Sequence, residues 1–296
     1  MSITDALDLD QNSSRAKRLE DINPDDYGWA VPIMRAGYAG RALVYVVVAG
    51  FSLWSIAQGG QAEGTKSVME QLRGNGWPVL LLIALGMMAY AIWRLIDSFA
   101  DLEAYGSDAK GVIARIGMLV TGLVHLGIGI LAASALIGRS SSGGGGQGLL
   151  SSLMQMPAGL WIVGIAGVLT LCTSVYYFKK GFAEDYRNHL RASSFTTRWN
   201  TVLKVGVIAQ GVVVGIIGLL IIYAALQADP SQAGGLGQAF EWLRSQAYGR
   251  ILVIVLCIGL LAFAIFCAVN ACFRIVPKAY DGSGETLAAR LKNATS

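Results

Sequence analysis

Apolar residues in this chain come in blocks. Six of them, at 35–57, 77–98, 115–138, 157–178, 204–226 and 250–272, alternate with polar connections. Crossing a bilayer as a helix takes roughly 20 predominantly apolar residues, and each block is long enough. A backbone in lipid has no water to bond with, so such segments form helices that satisfy their own N–H and C=O groups. Composition points the same way. Of the 296 residues, 54% are hydrophobic and 14% charged, with a mean hydropathy of +0.53. Soluble domains carry about 25% charged residues. The first 27 residues are polar, with seven carboxylates against three basic side chains, and lack the short apolar core of a cleavable signal. The first block is therefore expected to act as an uncleaved insertion signal, with a mobile tail before it.

Charge then sets orientation, because Lys and Arg accumulate in cytoplasmic loops. With six spans, both termini share a side with the 99–114 and 179–203 loops. That side holds 18 of the 23 basic residues, and only Lys66, Arg73, Arg139, Arg244 and Arg250 fall on the other. The expected location is a bacterial inner membrane with both termini cytoplasmic. The net charge of +4 sits mostly in loops and tails, where it suits anionic lipid headgroups. The basic 179–204 stretch is the strongest such segment. No nucleic-acid partner is expected, and a second membrane protein is a candidate partner.

The spans also repeat. The odd-numbered ones open alike, "RAGYAGRALVY" from Arg35, "RIGMLVTGLVH" from Arg115 and "KVGVIAQGVVV" from Lys204. Each begins with a basic residue and has glycine two positions on: Gly37, Gly117 and Gly206. The even-numbered ones share a middle, "GMMAYAIW" from Gly86, "GVLTLCTSVYY" from Gly167 and "GLLAFAIF" from Gly259. The outer connections are glycine-rich and then carry short segments such as "SVMEQLR" and "AFEWLRS", whose apolar spacing fits a helix lying at the interface. Three copies of one two-helix unit follow. This pattern resembles the bacterial membrane family called domain of unknown function 1206, whose members carry tandem two-helix units, commonly three. The residues that carry the resemblance are Arg35-x-Gly37-Tyr38-x-x-Arg41-x-x-x-Tyr45 and the Gly86…Tyr90-x-x-Trp93-Arg94 stretch. It covers nearly everything from Arg35 to Phe273, although Thr121 and Gln210 stand where Arg41 would fall in the second and third copies. The resemblance implies a fold class and no activity.

The expected fold is therefore all-α and membrane-integral: six transmembrane helices as three antiparallel hairpins with pseudo-threefold symmetry, and short amphipathic helices in the outer loops. The division is a tail at 1–30, repeats at 31–110, 111–195 and 196–278, and a second tail at 279–296. Gly37, Gly117, Gly206, Gly86, Gly167 and Gly259 are expected to let helix backbones approach closely, since small residues do this in lipid.

Arg41 is the anomaly, an arginine about two turns into a span, where an unpaired charge is costly. Asp97 lies near the same end of the partner helix, so an Arg41–Asp97 ion pair is expected, with Arg94 a competitor or a snorkelling cation. The repeat extends this to Thr121 with Lys180 and to Gln210 with Asn270, giving a polar clasp in each copy. The same residues, Arg41, Thr121, Gln210, Asp97 and Asn270, would instead line a threefold path if they faced the axis.

Other chemistry is sparse. Cys172, Cys257, Cys267 and Cys272 all fall in spans without CxxC spacing, and read as small packing residues. No cofactor is expected. His125, the one histidine inside a span, is a weak candidate for a haem or pigment ligand. Its ordinary role is a neutral ring bonded to a neighbouring hydroxyl or carbonyl. Thr170, Thr173 and Ser174 are expected to bond across helices or back to their own backbone. Trp54, Trp77, Trp161, Trp242 and Tyr248 should form an outer aromatic belt, with Trp199 and Tyr280 at the inner interface. The 138–148 stretch, "GRSSSGGGGQG", lacks the lysine and strand of a phosphate loop and reads as a flexible connection. With no catalytic constellation, the expectation is a non-enzymatic multi-pass protein: a scaffold, assembly factor or accessory subunit. The alternative is a small transporter or channel along the threefold path.

Overall fold

The computed structural model describes residue 19 and residues 22–138, 152–280 and 285–293. Most of the acidic tail, and the glycine-rich 139–148 stretch, lie outside the described residues. Helix dominates: α1 (Ala30–Ala57), α2 (Thr65–Gln71), α3 (Trp77–Ala100), α4 (Ala109–Leu136), α5 (Gly159–Phe182), α6 (Ser194–Arg198), α7 (Asn200–Gln227), α8 (Leu236–Arg244), α9 (Gly249–Phe273) and α10 (Leu287–Asn293). Among the described residues β-structure is limited to isolated bridges. Six helices, α1, α3, α4, α5, α7 and α9, are long and apolar enough to span a membrane. They match the six apolar blocks, with several extended by polar turns. Pro32 falls in the first turn of α1, where its missing N–H costs nothing. Asp108 caps α4 by accepting from the Gly111 N–H at 3.2 Å.

The spans form a ring with one break. α1 packs on α3, α3 on α4, α5 on α7, α7 on α9, and α9 back on α1. The contacts between successive repeats are thus all made, as pseudo-threefold symmetry requires. Within repeats, the first and third hairpins close. The second does not: α4 and α5 make no extended contact with each other.

The glycines explain why. In the first hairpin a Cβ on Gly40 would lie 2.4 Å from the Gly86 Cα, and one on Gly37 would lie 2.6 Å from the Tyr90 Cα. In the third, a Cβ on Gly206 would lie 2.5 Å from the Phe263 N, and one on Gly259 would lie 2.5 Å from the Ala209 Cβ. Backbones this close are possible only because side chains are missing. The position of Gly40 and Ala209 is taken in the second repeat by Val120, which remains 49% exposed. Gly117 correspondingly faces open space: a methyl group added there would meet no atom within 4 Å. The expectation that Gly117 packs a hairpin is therefore wrong, and the bulk of Val120 is the reason. Gly167 packs, but on Ile222 of α7 rather than on α4.

The two ends of the bundle differ. One end, here the terminal end, carries the described parts of both terminal segments and the connections at 101–108 and 183–199. There the 183–199 connection is sewn to the chain after α9: Arg191 N–H donates to the Phe273 carbonyl, Ile275 to His189 and Leu287 to Leu190. The opposite end carries α2 and α8. Each tucks two apolar side chains inward, Val68 and Met69 from α2, Ala239 and Phe240 from α8. Of the short helix expected in the second repeat, only a single helical turn at 152–154 falls among the described residues.

Glycine substitutions test this packing. Gly40→Val should cost about 3 kcal/mol or more, because backbone cannot move aside for the new side chain. Gly117→Ala should be neutral or stabilising by about 0.5–1 kcal/mol. Thermal melting of the detergent-purified protein, followed by circular dichroism, separates the two; equal effects would refute the open second hairpin.

Candidate functional site

Arg41 is the centre of a buried cluster to which all three repeats contribute side chains. It lies about 16 Å along α1 from Ala30 and about 24 Å from Ala57 at 1.5 Å per residue. Its side chain is 5% exposed. Nη1 donates to the Tyr90 hydroxyl of α3 at 2.9 Å, and Nη2 to the Tyr177 hydroxyl of α5 at 3.3 Å. The guanidinium carbon lies 5.0 Å from the Tyr90 ring centre, 5.1 Å from Phe263 of α9 and 5.9 Å from Tyr45. Cation–π contacts are worth about 2 kcal/mol when desolvated, so the rings offset part of the cost of burial. Among the described residues no carboxylate lies within ion-pair distance of Arg41. Its Nε–H is buried without a partner.

The expected Arg41–Asp97 pair does not form, and the glycine register shows why. Gly37 lies against Tyr90 and Gly40 against Gly86. Asp97 is therefore level with the start of α1, about 16 Å along the axis from the Arg41 backbone. No arginine side chain spans that. Helical side chains lean toward their N-terminus, so Arg41 reaches back to Tyr90 instead. Asp97 takes the competitor: Arg94 Nη1 lies 3.2 Å from its Oδ2. Arg94 also donates from Nε to Tyr90 at 3.0 Å and from Nη2 to Tyr38 at 3.0 Å. The Tyr90 oxygen thus accepts from two arginines at once, joining Arg41 to the terminal end.

The network continues outward through a buried loop. Glu103 N–H donates to Asp97 Oδ1 at 3.3 Å, and the Glu103 carboxylate pairs with Arg274 just past α9. His189 Nε2 lies 3.6 Å from the same carboxylate. Burial by itself would raise the Glu103 pKa. The Arg274 guanidinium, then His189 and Arg94, outweigh it and hold the carboxyl well below the usual carboxylate range. Burial works the other way on Arg274, and the Glu103 carboxylate again outweighs it, holding the guanidinium above its ordinary value. Among the described residues the two deeply buried acids, Asp97 and Glu103, are thereby matched by two arginines, and Arg41 has no acid beside it.

The other expected clasps do not form either. Thr121 Oγ1 donates back to the Gly117 carbonyl at 2.7 Å, while Lys180 sits over the rings of Tyr176 and Phe266. Asn270 donates to the Phe266 carbonyl at 2.8 Å and accepts from Arg274 at 2.8 Å. Gln210 is 6% exposed, and its Oε1 has no hydrogen-bond partner. The open second hairpin separates Thr121 from Lys180, and Arg274 outcompetes Gln210 for Asn270.

His125 is buried, its Nδ1 2.7 Å from the Thr121 carbonyl of its own helix and its ring 4.6 Å from Tyr90. A carbonyl only accepts, so Nδ1 carries the proton. Thr170 and Thr173 bond back to their own helix, whereas Ser174 bonds across to the Gly211 carbonyl of α7 at 2.7 Å. Among the described residues no group of three His, Cys, Asp or Glu side chains gathers as a metal site. Trp54, Trp77, Trp161, Trp242 and Tyr248 are exposed. Tyr280 is instead buried, packed with Ile275 and Ala104. Sequence reasoning missed the partners that matter: Tyr90, Tyr177, Phe263, Glu103 and Arg274. The spacing of Gly37 and Gly40 against Gly86 was the available signal.

The Glu103–Arg274 pair has a pH signature. A carboxyl held below its unfolded value of about 4.3 contributes stability that is complete above that pH and is lost as the pH falls toward the folded value. Glu103→Gln strands Arg274 and should cost about 3–5 kcal/mol at pH 7. Melting temperatures measured from pH 7 to pH 3 should fall more steeply below about pH 4 in the parent than in the variant. Parallel profiles would refute the pairing.

Family comparison fits this architecture. The family model described as Domain of Unknown Function (DUF1206) matches three segments, 36–101, 116–184 and 205–274. They correspond to α1 with α3, α4 with α5, and α7 with α9. The chain is also similar to the uncharacterized protein YxxB of Bacillus subtilis (strain 168). The two are 23% identical over 259 residues, covering 86% of this chain and 94% of the relative. No solved structure matches. Matched three times along most of its length, the chain belongs to the DUF1206 family.

Proposed function

We propose that this is a non-catalytic inner-membrane protein that binds an anionic ligand at Arg41, in the manner of a small carrier rather than a passive scaffold. The observation that carries this reading is the one buried guanidinium that, among the described residues, is left without a carboxylate. Arg94 and Arg274 each have an acid beside them, and Arg41 has only rings and hydroxyls. A scaffold held by polar clasps has no use for an unmatched charge at this depth, where a central arginine costs about 2.5–3.5 kcal/mol on insertion scales. A binding site has, because the ligand supplies the missing charge. The bias of basic residues argues for a cytoplasmic terminal end. The Arg94, Asp97, Glu103 and Arg274 chain then links the site to the cytoplasm. Toward the opposite end the interior is filled by side chains such as Val48, Leu80, Ile83, Leu256 and Leu260, all buried. That argues against a continuous channel.

The test is anion-dependent stability. The purified protein and Arg41→Gln are melted in sodium octanoate or phosphate against chloride at matched ionic strength. A ligand that binds only the folded state stabilises it by about 2.7 kcal/mol at a hundred times its Kd. At least one anion should raise the melting temperature of the parent saturably and leave Arg41→Gln unmoved. The same response in both would overturn the reading.

A further inference from the structure

We infer that the anion is the carboxylate of a long-chain fatty acid, and that it reaches Arg41 sideways from the membrane between α4 and α5. This rests on the anion-site reading and names its ligand and route.

The head chemistry comes from unspent donors. Arg41 Nε–H has no acceptor. The Tyr90 and Tyr177 oxygens each accept from Arg41, and no acceptor for their own O–H groups is found among the described residues. Three donors thus surround one positive charge, and among the described residues the oxygens beside them are tyrosine hydroxyls, none of them charged. A carboxylate is acceptor-only, with two oxygens and about four lone-pair sites, and carries one negative charge. A doubly charged phosphate would overshoot the single unmatched guanidinium.

The chain and the route come from the broken ring. His125 of α4 packs on Tyr90, and Tyr177 of α5 bonds Arg41, so the polar cluster is bounded by both helices. Those two helices make no extended contact with each other. The face of α4 that its counterparts use to close their hairpins carries Gly117 and Val120, and both are exposed. That face is apolar and opens to lipid, which suits an alkyl tail. α4 and α5 are also the least buried of the six spans, at 28% and 22%. Each packs extensively on one neighbouring span, α4 on α3 and α5 on α7, so the seam between α4 and α5 is the one that can widen without breaking a helix–helix contact. Water-soluble anions have no such path, because the cluster is reached across hydrocarbon on this side.

Native mass spectrometry of the full-length protein, released from phosphatidylcholine nanodiscs, tests the inference with oleate, oleyl alcohol, octanoate and phosphatidylglycerol as probes. One oleate per chain should be retained. Oleyl alcohol should not be, and octanoate should bind at least tenfold more weakly. Arg41→Gln should lower oleate affinity at least tenfold, and Tyr177→Phe, which removes one hydroxyl and keeps the ring, several-fold. Tyr177→Phe carries the test if Arg41→Gln does not fold. Oleyl alcohol binding as well as oleate would overturn the inference, because charge would not matter. Octanoate binding as tightly as oleate, with Arg41 still required, would overturn the lipid route and leave the anion site standing. Phosphatidylglycerol displacing oleate at equal concentration would transfer the site to a phospholipid and overturn the fatty acid. Oleate binding unchanged in both variants would remove the anion site itself.

Discussion

The close approach of α1 and α3 at Gly40 and Gly86 is the constraint on which the rest depends. With no Cβ on either residue the two backbones meet, and that contact fixes their register to within one residue. Register then decides chemistry. It puts Tyr90 where Arg41 can reach it and carries Asp97 to a different depth, beside Arg94. A shift of one helical turn, about 5.4 Å, would break the Arg41–Tyr90 bond. The same contact recurs at Ala209 and Gly259, and its absence at Val120 opens the second hairpin. One small-residue position therefore sets both the polar cluster and the gap beside it.

Charge pairing inside the bundle follows from that register. A buried acid or arginine persists only where a partner and hydrogen bonds satisfy it. Arg94 uses all three of its nitrogens, on Tyr38, Tyr90 and Asp97. Arg274 and Glu103 pair across 171 residues of sequence and tie the third repeat to the loop after the first. Against that background Arg41 stands out by what it lacks, since its partners are hydroxyls and rings.

Much of this fold was legible in the sequence because it rests on long-range averages. Block length and hydropathy give the spans, and the spacing of like segments gives the repeats. Side-chain pairing is a different kind of quantity, decided by a few ångströms of helix register. Arg41 and Asp97 looked level when depth was counted from the ends of the apolar blocks. α1, however, begins at Ala30, one turn before its block, and the contact between the glycines sets the true offset. Glu103 gave no signal, because a carboxylate in a polar loop normally faces water; only the fold shows it buried under Arg274. The open second hairpin was in principle visible as Val120 at a glycine position. Its weight was hidden because the flanking pattern, Arg115 and Gly117, is intact.

The divergence of the three repeats bears on why the site is built around one arginine. Arg41 touches residues of α3, α5 and α9, one from each repeat, so its guanidinium lies near the axis. Were Thr121 and Gln210 both arginine, three cations would converge there. At roughly 5 Å and an effective dielectric near 20, each pair would repel by about 3 kcal/mol. Three arginines there could be held only around a multivalent anion or open water. Reducing the set to one cation, one amide and one hydroxyl removes that repulsion and leaves a site of single charge. The packing is asymmetric as well: the second repeat lacks both the arginine and the close glycine contact, whereas the third lacks only the arginine. Arg41 therefore stands as a single charge in a bundle whose second hairpin, beside it, is not closed.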